Sequence, residues 1–262
     1  MDFLLECIGF PPKFDREVLI ERVLNEGEGT PWRGPWEDHR MLALGGGLEL
    51  RLEREAEFRE WTLWPYYKVE RRLRVTVDEI RKIPDSPFDV LLTGWAAPPI
   101  RATVGTGSGR PGAYKLSTYL NDARRLPRGP HVPKVLAVSI AGFALDVNYL
   151  GPNVGVFDPL VLERESGASI EPLGGDEDPG GCAEVSLRIK TIRRLENPIT
   201  GIEIDILTVD APERPLELFV SRWQLEKDGL PPPRPGYRIE GTFLFSGRIA
   251  GGLAKKRRSP FG

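Results

Sequence analysis

The sequence predicts a mostly β protein of the α+β class. Several segments alternate apolar and polar residues as strands do, most clearly the last one, where Tyr237, Ile239, Phe243 and Phe245 can share one face. Turn signals rich in glycine and proline separate these segments. The clearest helical pattern covers only residues 16–26.

The first 85 residues predict an α/β domain that begins with a strand and a helix. Residues 3–10 favour a strand, which Pro11 stops because proline donates no ladder hydrogen bond. Asp15 is placed to cap a helix over residues 16–26. Gly27 then suits a left-handed helix end.

The same domain continues with strands. Three glycines predict a hairpin turn between strands over residues 40–44 and 48–54. A long strand or a bent pair of strands is predicted over residues 58–77. Thr76 and Glu79 have capping-box spacing, which favours a short helix before Pro84.

The order strand, helix and three strands over the first 80 residues resembles one βαβββ module of the vicinal oxygen chelate superfamily, the glyoxalase and bleomycin-resistance group. Paired modules of that family form a cupped sheet, and His, Glu or Gln side chains on first and last strands hold a metal. The resemblance implies a divalent metal ion held by Glu6, His39 and Glu70. A second module with its own ligands is not evident.

Residues 86–254 predict a second, mostly β domain, an antiparallel barrel or sandwich. A strand is expected over residues 88–95 and a central strand or bent strand pair over 134–150, and the pattern over 114–126 fits either a helix or a hairpin. Four further strands follow, separated by two turns and a longer proline-rich loop, and the last of them is the terminal aromatic strand. No internal repeat is evident, and residues 255–262 form a basic tail expected to be disordered.

Composition limits the classes of protein to consider. The net charge of −2 gives no overall attraction to nucleic acid or anionic lipid. Cys7 and Cys182 are too few for a disulfide framework, although one long-range disulfide is open. With neither a secretion signal nor an apolar run of membrane-spanning length, the chain is expected to be cytoplasmic.

One strand face stands out as a candidate ligand-binding surface. Trp64 and Tyr66 alternate with the core-facing residues and therefore lie on the same side as Lys68 and Arg72. Large aromatic side chains beside charges indicate a covered surface, where the cover is another domain, a second subunit or a ligand. The glycine-rich segment 105–112 could cradle an anion, but it lacks the spacing of a phosphate loop and favours a flexible connection.

No catalytic residue is predicted, because no catalytic motif appears with its full spacing. We therefore expect a non-enzymatic binding or assembly protein without a cofactor, which forms a homodimer through its N-terminal sheet or binds a small ligand or protein. The first alternative is a metal-dependent enzyme like the vicinal oxygen chelate group. The second is an OB-like nucleic-acid-binding barrel, which the mixed charges of the terminal strands disfavour.

Overall fold

The computed structural model describes residues 3–29, 39–54, 59–68, 70–83, 86, 89–98, 112–126, 135–151, 168–174 and 180–250. The helices are α1 (Phe3–Glu6), α2 (Arg16–Glu26) and α3 (Arg222–Lys227), with a 3-10 turn at Ala123–Arg125. The strands are β1 (His39–Gly45), β2 (Leu48–Arg54), β3 (Trp61–Tyr67), β4 (Leu73–Lys82), β5 (Val90–Ala96), β6 (Tyr114–Leu120), β7 (Val135–Leu150), β8 (Ser169–Pro172), β9 (Cys182–Glu196), β10 (Glu203–Val209), β11 (Leu216–Ser221) and β12 (Arg238–Ile249).

The predicted α+β, mostly β class is confirmed. Among the described residues, β1, β2 and β3 form a small antiparallel sheet, and the other nine strands form a large mixed sheet. The three-glycine turn joins β1 to β2 as predicted. The helix over residues 16–26 is also confirmed, with the Asp15 side chain accepting a hydrogen bond from the Glu17 amide at 2.9 Å.

Three local predictions are wrong. Residues 3–6 form helix α1 rather than a strand. Leu5, Ile8 and Phe10 are all buried, and a short apolar run of this kind fits a buried helix as well as a strand. The capping-box spacing at Thr76 starts no helix, since β4 continues to Lys82 by pairing with β5. Helix α2 ends at Gly27 as expected, but in an extended conformation.

The central strand of the small sheet, β2, is covered on both faces within one chain. Leu48, Leu50 and Leu52 of β2 are completely buried, and helix α2 packs on β1 and β2. On the opposite face of β2, Arg51 and Glu53 are at most 3% exposed. The sheet is therefore a middle layer between its helix and the large sheet.

The large sheet closes on itself twice. In ring N, pairing runs through β4, β5, β6, β12 and β7 and returns to β4. In ring C, pairing runs through β9, β10, β11, β7 and β12 and returns to β9. The long strands β7 and β12 belong to both rings and pair along nearly their whole length.

Each ring has one parallel pair, whereas the sequence predicted an antiparallel arrangement. Strands β6 and β12 are parallel in ring N, and β11 and β7 are parallel in ring C. In both pairs the partners are remote in sequence, as parallel pairing requires a long connection. Local turn signals could not predict these pairs.

The two rings are related by an internal structural repeat. Strands β4 to β7 and strands β9 to β12 each comprise three strands, a short helical turn and a long strand. Each set lends part of its long strand to the other ring. The division predicted at residue 85 stays a prediction, although β4, which precedes it, already pairs in the large sheet.

Candidate functional site

A cleft of about 580 Å³ opens where the small sheet meets both rings, and we call it the junction cleft. One wall comes from the small sheet and the segment after it, the other from β9, β11 and β12. Its lining residues are Gly46, Gly47, Tyr67, Lys68, Glu70, Arg71, Arg193, Glu217 and Arg248. Remote parts of the chain therefore converge on one space.

The junction cleft carries a positive surplus in a chain of net charge −2. Four cationic side chains and two carboxylates line it. Within the described residues, Lys68, Arg71 and Arg248 form no salt bridge. These cations are therefore available to an anion in the cleft.

One wall of the junction cleft is fixed by Tyr67. Its ring packs edge-on against Phe219 of β11, with ring centroids 4.8 Å apart. Its hydroxyl accepts a hydrogen bond from the Arg193 guanidinium, which also donates to the Gly46 carbonyl at 3.4 Å. Gly47 leaves room for this ring, because a Cβ there would lie 3.1 Å from the Tyr67 ring.

Burial sets the proton affinities of the acidic groups here. It raises the pKa of Glu217, against the attraction of Arg71 and Arg193. It also raises the pKa of the Tyr67 hydroxyl and of Glu49, whose carboxylate is attracted by Lys68 and Arg248.

The aromatic face predicted as a ligand surface is an internal interface. Tyr66 is 5% exposed and Trp64 is half-buried. The centroid of the Trp64 ring lies 6.0 Å from that of the Tyr119 ring on β6. The Arg51 guanidinium carbon lies over the same Trp64 ring, 5.9 Å from its centroid. Of the covers considered from the sequence, the structure supplies the rest of the same chain.

A buried ion-pair cluster anchors this interface. Arg51 donates to both carboxylate oxygens of Asp89, just before β5, at 3.1 and 2.6 Å, and to Glu53 at 3.4 Å. The Ser86 hydroxyl bonds both Glu53 and Asp89. The bidentate geometry ties β2 of the small sheet to the start of β5 in the large sheet.

The other two predicted ligand residues lie near each other in the segment between β3 and β4. Lys68 lines the junction cleft. Arg72 is exposed and lines an adjoining recess of about 20 Å³, which shares Arg71 and Glu217 with the cleft. Such a recess holds about one water molecule rather than a ligand.

The three predicted metal ligands lie on separate elements. Glu6 is buried at the end of α1, with the Lys227 ammonium 3.6 Å away. His39 is buried at the start of β1, opposite Glu53, and Glu70 is exposed after β3. Across the described part of the chain, no group of three or more His, Cys, Asp or Glu side chains is arranged to hold a metal ion.

A second cleft of about 510 Å³ has the opposite charge. It lies on β7, β8, β9 and β12, and its charged lining residues are Asp146, Glu171, Glu184 and Glu240. Register places Glu171 directly opposite Glu184, an unfavourable pair of like charges. Serine and threonine hydroxyls also line it, and the Ser186 hydroxyl donates a hydrogen bond to the Glu240 carboxylate at 2.8 Å.

Sequence reasoning missed Arg193, Glu217 and Arg248 as cleft residues. Glu217 and Arg248 were readable as outward-facing on their strands, whereas simple alternation from Leu187 and Ile189 puts Arg193 on the core-facing side. Their convergence depends on the ring closures, for which the sequence gives no local signal. The glycine-rich segment 105–112 lies largely, and the basic tail 255–262 entirely, outside the described residues.

Comparison with known proteins assigns this chain to no family. No family profile and no curated protein matches the chain. In the search of solved structures, 70% of this chain aligns with 98% of the cytoplasmic molybdate-binding protein ModG, crystallised with molybdate bound, at 13% identity and a TM-score of 0.33. At that TM-score the likeness carries no inference about this chain. Among the described residues, no helix has the length and apolar character to cross a membrane.

Proposed function

We propose that the protein is a non-enzymatic binding protein and that its ligand occupies the junction cleft. The observation that carries the proposal is the convergence of four cations from three separate parts of the chain on one cleft of about 580 Å³. Pockets of roughly 300–1,000 Å³ are typical of small-molecule sites. The cleft-lining side chains are arginine, lysine, glutamate and tyrosine, which suit binding through charge and hydrogen bonds.

The ring topology bears on the nucleic-acid alternative. The order of ring N, with its fifth strand between the third and the fourth, is that of OB-like barrels, which bind ligands on the face of strands two and three. In ring N that face belongs to β5 and β6, where Leu91, Thr93 and Ser117 are less than 10% exposed. Since this face is buried, the topology favours a ligand at the junction over a nucleic-acid strand on the ring.

The test compares the native protein with a cleft variant. Protein purified without chelator or denaturant is examined by native mass spectrometry for a retained ligand, and thermal stability is screened against a panel of neutral, cationic and anionic small molecules. We expect at least one compound to raise Tm, and Arg193→Ala to abolish the shift. The exposed Arg188→Ala on the same strand is the control. A shift that Arg193→Ala leaves intact would place the ligand elsewhere.

The remaining sequence-based alternatives keep their own tests. Metal analysis after zinc, nickel or manganese supplementation tests the metal-dependent enzyme with Glu6, His39 and Glu70, which requires near-stoichiometric metal. Sedimentation tests the homodimer, which the central strand of the small sheet does not need for cover because both faces of β2 are buried within one chain. Cytoplasmic localisation fits the two free thiols of Cys7 and Cys182.

A further inference from the structure

We infer that the ligand of the junction cleft is a phosphate monoester on a carrier that bears hydroxyl groups. This inference rests on the proposed function, because it names the chemistry of the same site. A phosphate monoester carries close to two negative charges at neutral pH. The four cations and two carboxylates of the cleft leave a formal surplus of two positive charges, which matches it.

The cationic side of the cleft fits the phosphate group. Arginine presents several donors in a planar fork that suits phosphate oxygens, and lysine adds a compact charge. Arg71, Arg248 and Lys68 form no salt bridge within the described residues, so binding breaks no existing pair. Arg193 is held in place by its hydrogen bonds to Tyr67 and Gly46. Its position is therefore set before a ligand arrives.

The two carboxylates of the cleft argue for a hydroxylated carrier. Glu70 and Glu217 would repel a bare anion, whereas they accept hydrogen bonds from hydroxyl groups. Burial already disfavours a charged Glu217, so its carboxylate gains from a donor in the cleft. A ligand with an anionic end and a hydroxylated end satisfies both sides.

The contrast in charge between the two large clefts supports a negatively charged ligand in the junction cleft. The cleft on β7, β8, β9 and β12 has four carboxylates and no cation in its lining. The junction cleft is therefore the place where an anion is attracted rather than repelled. Its two carboxylates also disfavour a long polyanion such as nucleic acid.

Isothermal titration at neutral pH and fixed ionic strength tests this inference with three probes. They are glucose 6-phosphate, inorganic phosphate and glucose. We expect glucose 6-phosphate to bind at least tenfold more tightly than either inorganic phosphate or glucose. Arg71→Ala should weaken binding of glucose 6-phosphate by about tenfold or more, as expected for a charged hydrogen bond. Arg188→Ala should leave it unchanged, because Arg188 lies outside the cleft.

Glu217→Gln tests the hydroxylated side. We expect this variant to bind inorganic phosphate more tightly than the native protein does, so that the preference for glucose 6-phosphate narrows. Equal affinity of the native protein for inorganic phosphate and glucose 6-phosphate would contradict the inference that the phosphate is bound together with a hydroxylated carrier. If a neutral or cationic panel compound binds and this binding is lost in Arg193→Ala, the ligand is not an anion, but the proposed binding function at the junction cleft stands. Failure of every probe and panel compound would overturn both.

Discussion

Arg51 illustrates how single residues join the layers of this protein. Its charge is 1% exposed and lies between Asp89 and Glu53, which are themselves buried. A buried charge costs several kcal/mol in desolvation, so it persists only with well-placed partners. The attraction of both carboxylates outweighs burial and raises the pKa of Arg51. This cluster fixes the position of the small sheet, and through it the wall of the junction cleft.

Arg51→Met should destabilise the protein by about 3–5 kcal/mol, because it leaves two buried carboxylates without their cation. Urea unfolding followed by far-UV circular dichroism measures the loss. Arg74→Met on β4 is the matched control, because Arg74 is exposed, and it should change stability by less than about 0.5 kcal/mol. A loss below about 1 kcal/mol for Arg51→Met would contradict the anchoring role.

Trp64→Ala should cost about 3 kcal/mol of stability and leave ligand binding intact, because the ring packs on Tyr119 inside an interface. Urea unfolding and titration with glucose 6-phosphate measure the two effects. Trp223→Ala on α3 is a control of the same size, half-buried and remote from this interface. Unchanged stability with lost binding would instead make Trp64 part of a ligand surface.

Glu217→Gln should raise stability near pH 8 and lose this advantage as the pH falls below the ordinary pKa of a carboxyl group. Burial raises the pKa of Glu217, so the folded protein holds this proton more tightly than the unfolded chain does. Stability from this group is therefore lost as pH rises from the ordinary pKa through the raised one. Urea unfolding of native and variant protein across pH 4–8 tests the sign, with the exposed Glu60→Gln as control. A gain that grows toward acid pH would contradict it.

At the level of secondary-structure elements, strands β7 and β12 hold the two rings together. Short helical segments tie them from both sides: Asn121 donates to the Ser246 hydroxyl at 2.9 Å, and Gln224 donates to the Ala144 carbonyl at 3.0 Å. Both bonds are buried. The first joins the segment after β6 to β12, and the second joins the segment after β11 to β7, so each links one repeat to the long strand of the other. Glycines on β7 and β12 allow the close crossing of the rings, and Gly142 lies beside Leu218 and Phe245.

Gly241→Ala should destabilise the protein by about 3 kcal/mol, because φ is +144° and the new Cβ would lie 2.1 Å from the Asp146 carbonyl oxygen. A backbone clash of this kind cannot be relieved by a side-chain rotation. Gly236→Ala is the control, since φ is +87° there and no atom lies within 4 Å, so that backbone strain alone costs about 1 kcal/mol. Thermal unfolding compares the two variants, and equal losses would contradict the clash.

At the scale of the whole molecule, the shared strands make the rings one structural unit. Neither ring closes without β7 and β12, so the unfolding of one removes strands from the other. The small sheet is attached to this unit by the Arg51 cluster and by the packing of Tyr67 on Phe219. Charge is distributed over this unit unevenly, with a cationic junction cleft and an acidic cleft on β7, β8, β9 and β12.

Ring N and ring C should therefore unfold together. Native-state hydrogen exchange is expected to give the amides of β5 and of β10 the same opening free energy, equal to the global value from urea unfolding. Exchange of β10 amides at a clearly lower free energy than those of β5 would show independent rings. Tryptophan fluorescence and far-UV circular dichroism should likewise give coincident transitions.

The sequence by itself determined the elements whose cause is local. Alternation identified β10, β11 and β12, the glycines marked the β1–β2 turn, and Asp15 marked the start of α2. It also placed Trp64 on a face that needs cover, although it could not say that the cover is Tyr119 and β6. The helical turn at Phe3–Glu6 was missed because a short apolar run fits either a helix or a strand.

Only the tertiary structure decided the rest, because ring closure and strand sharing depend on pairings between residues far apart in sequence. The parallel pair of β6 with β12 joins residues more than a hundred positions apart, and no turn signal can encode it. The internal repeat lies in strand order rather than in residue identity, so it left no sequence signal. The same closures bring Arg193, Glu217 and Arg248 to Lys68, which was the part of the candidate site that the sequence could supply.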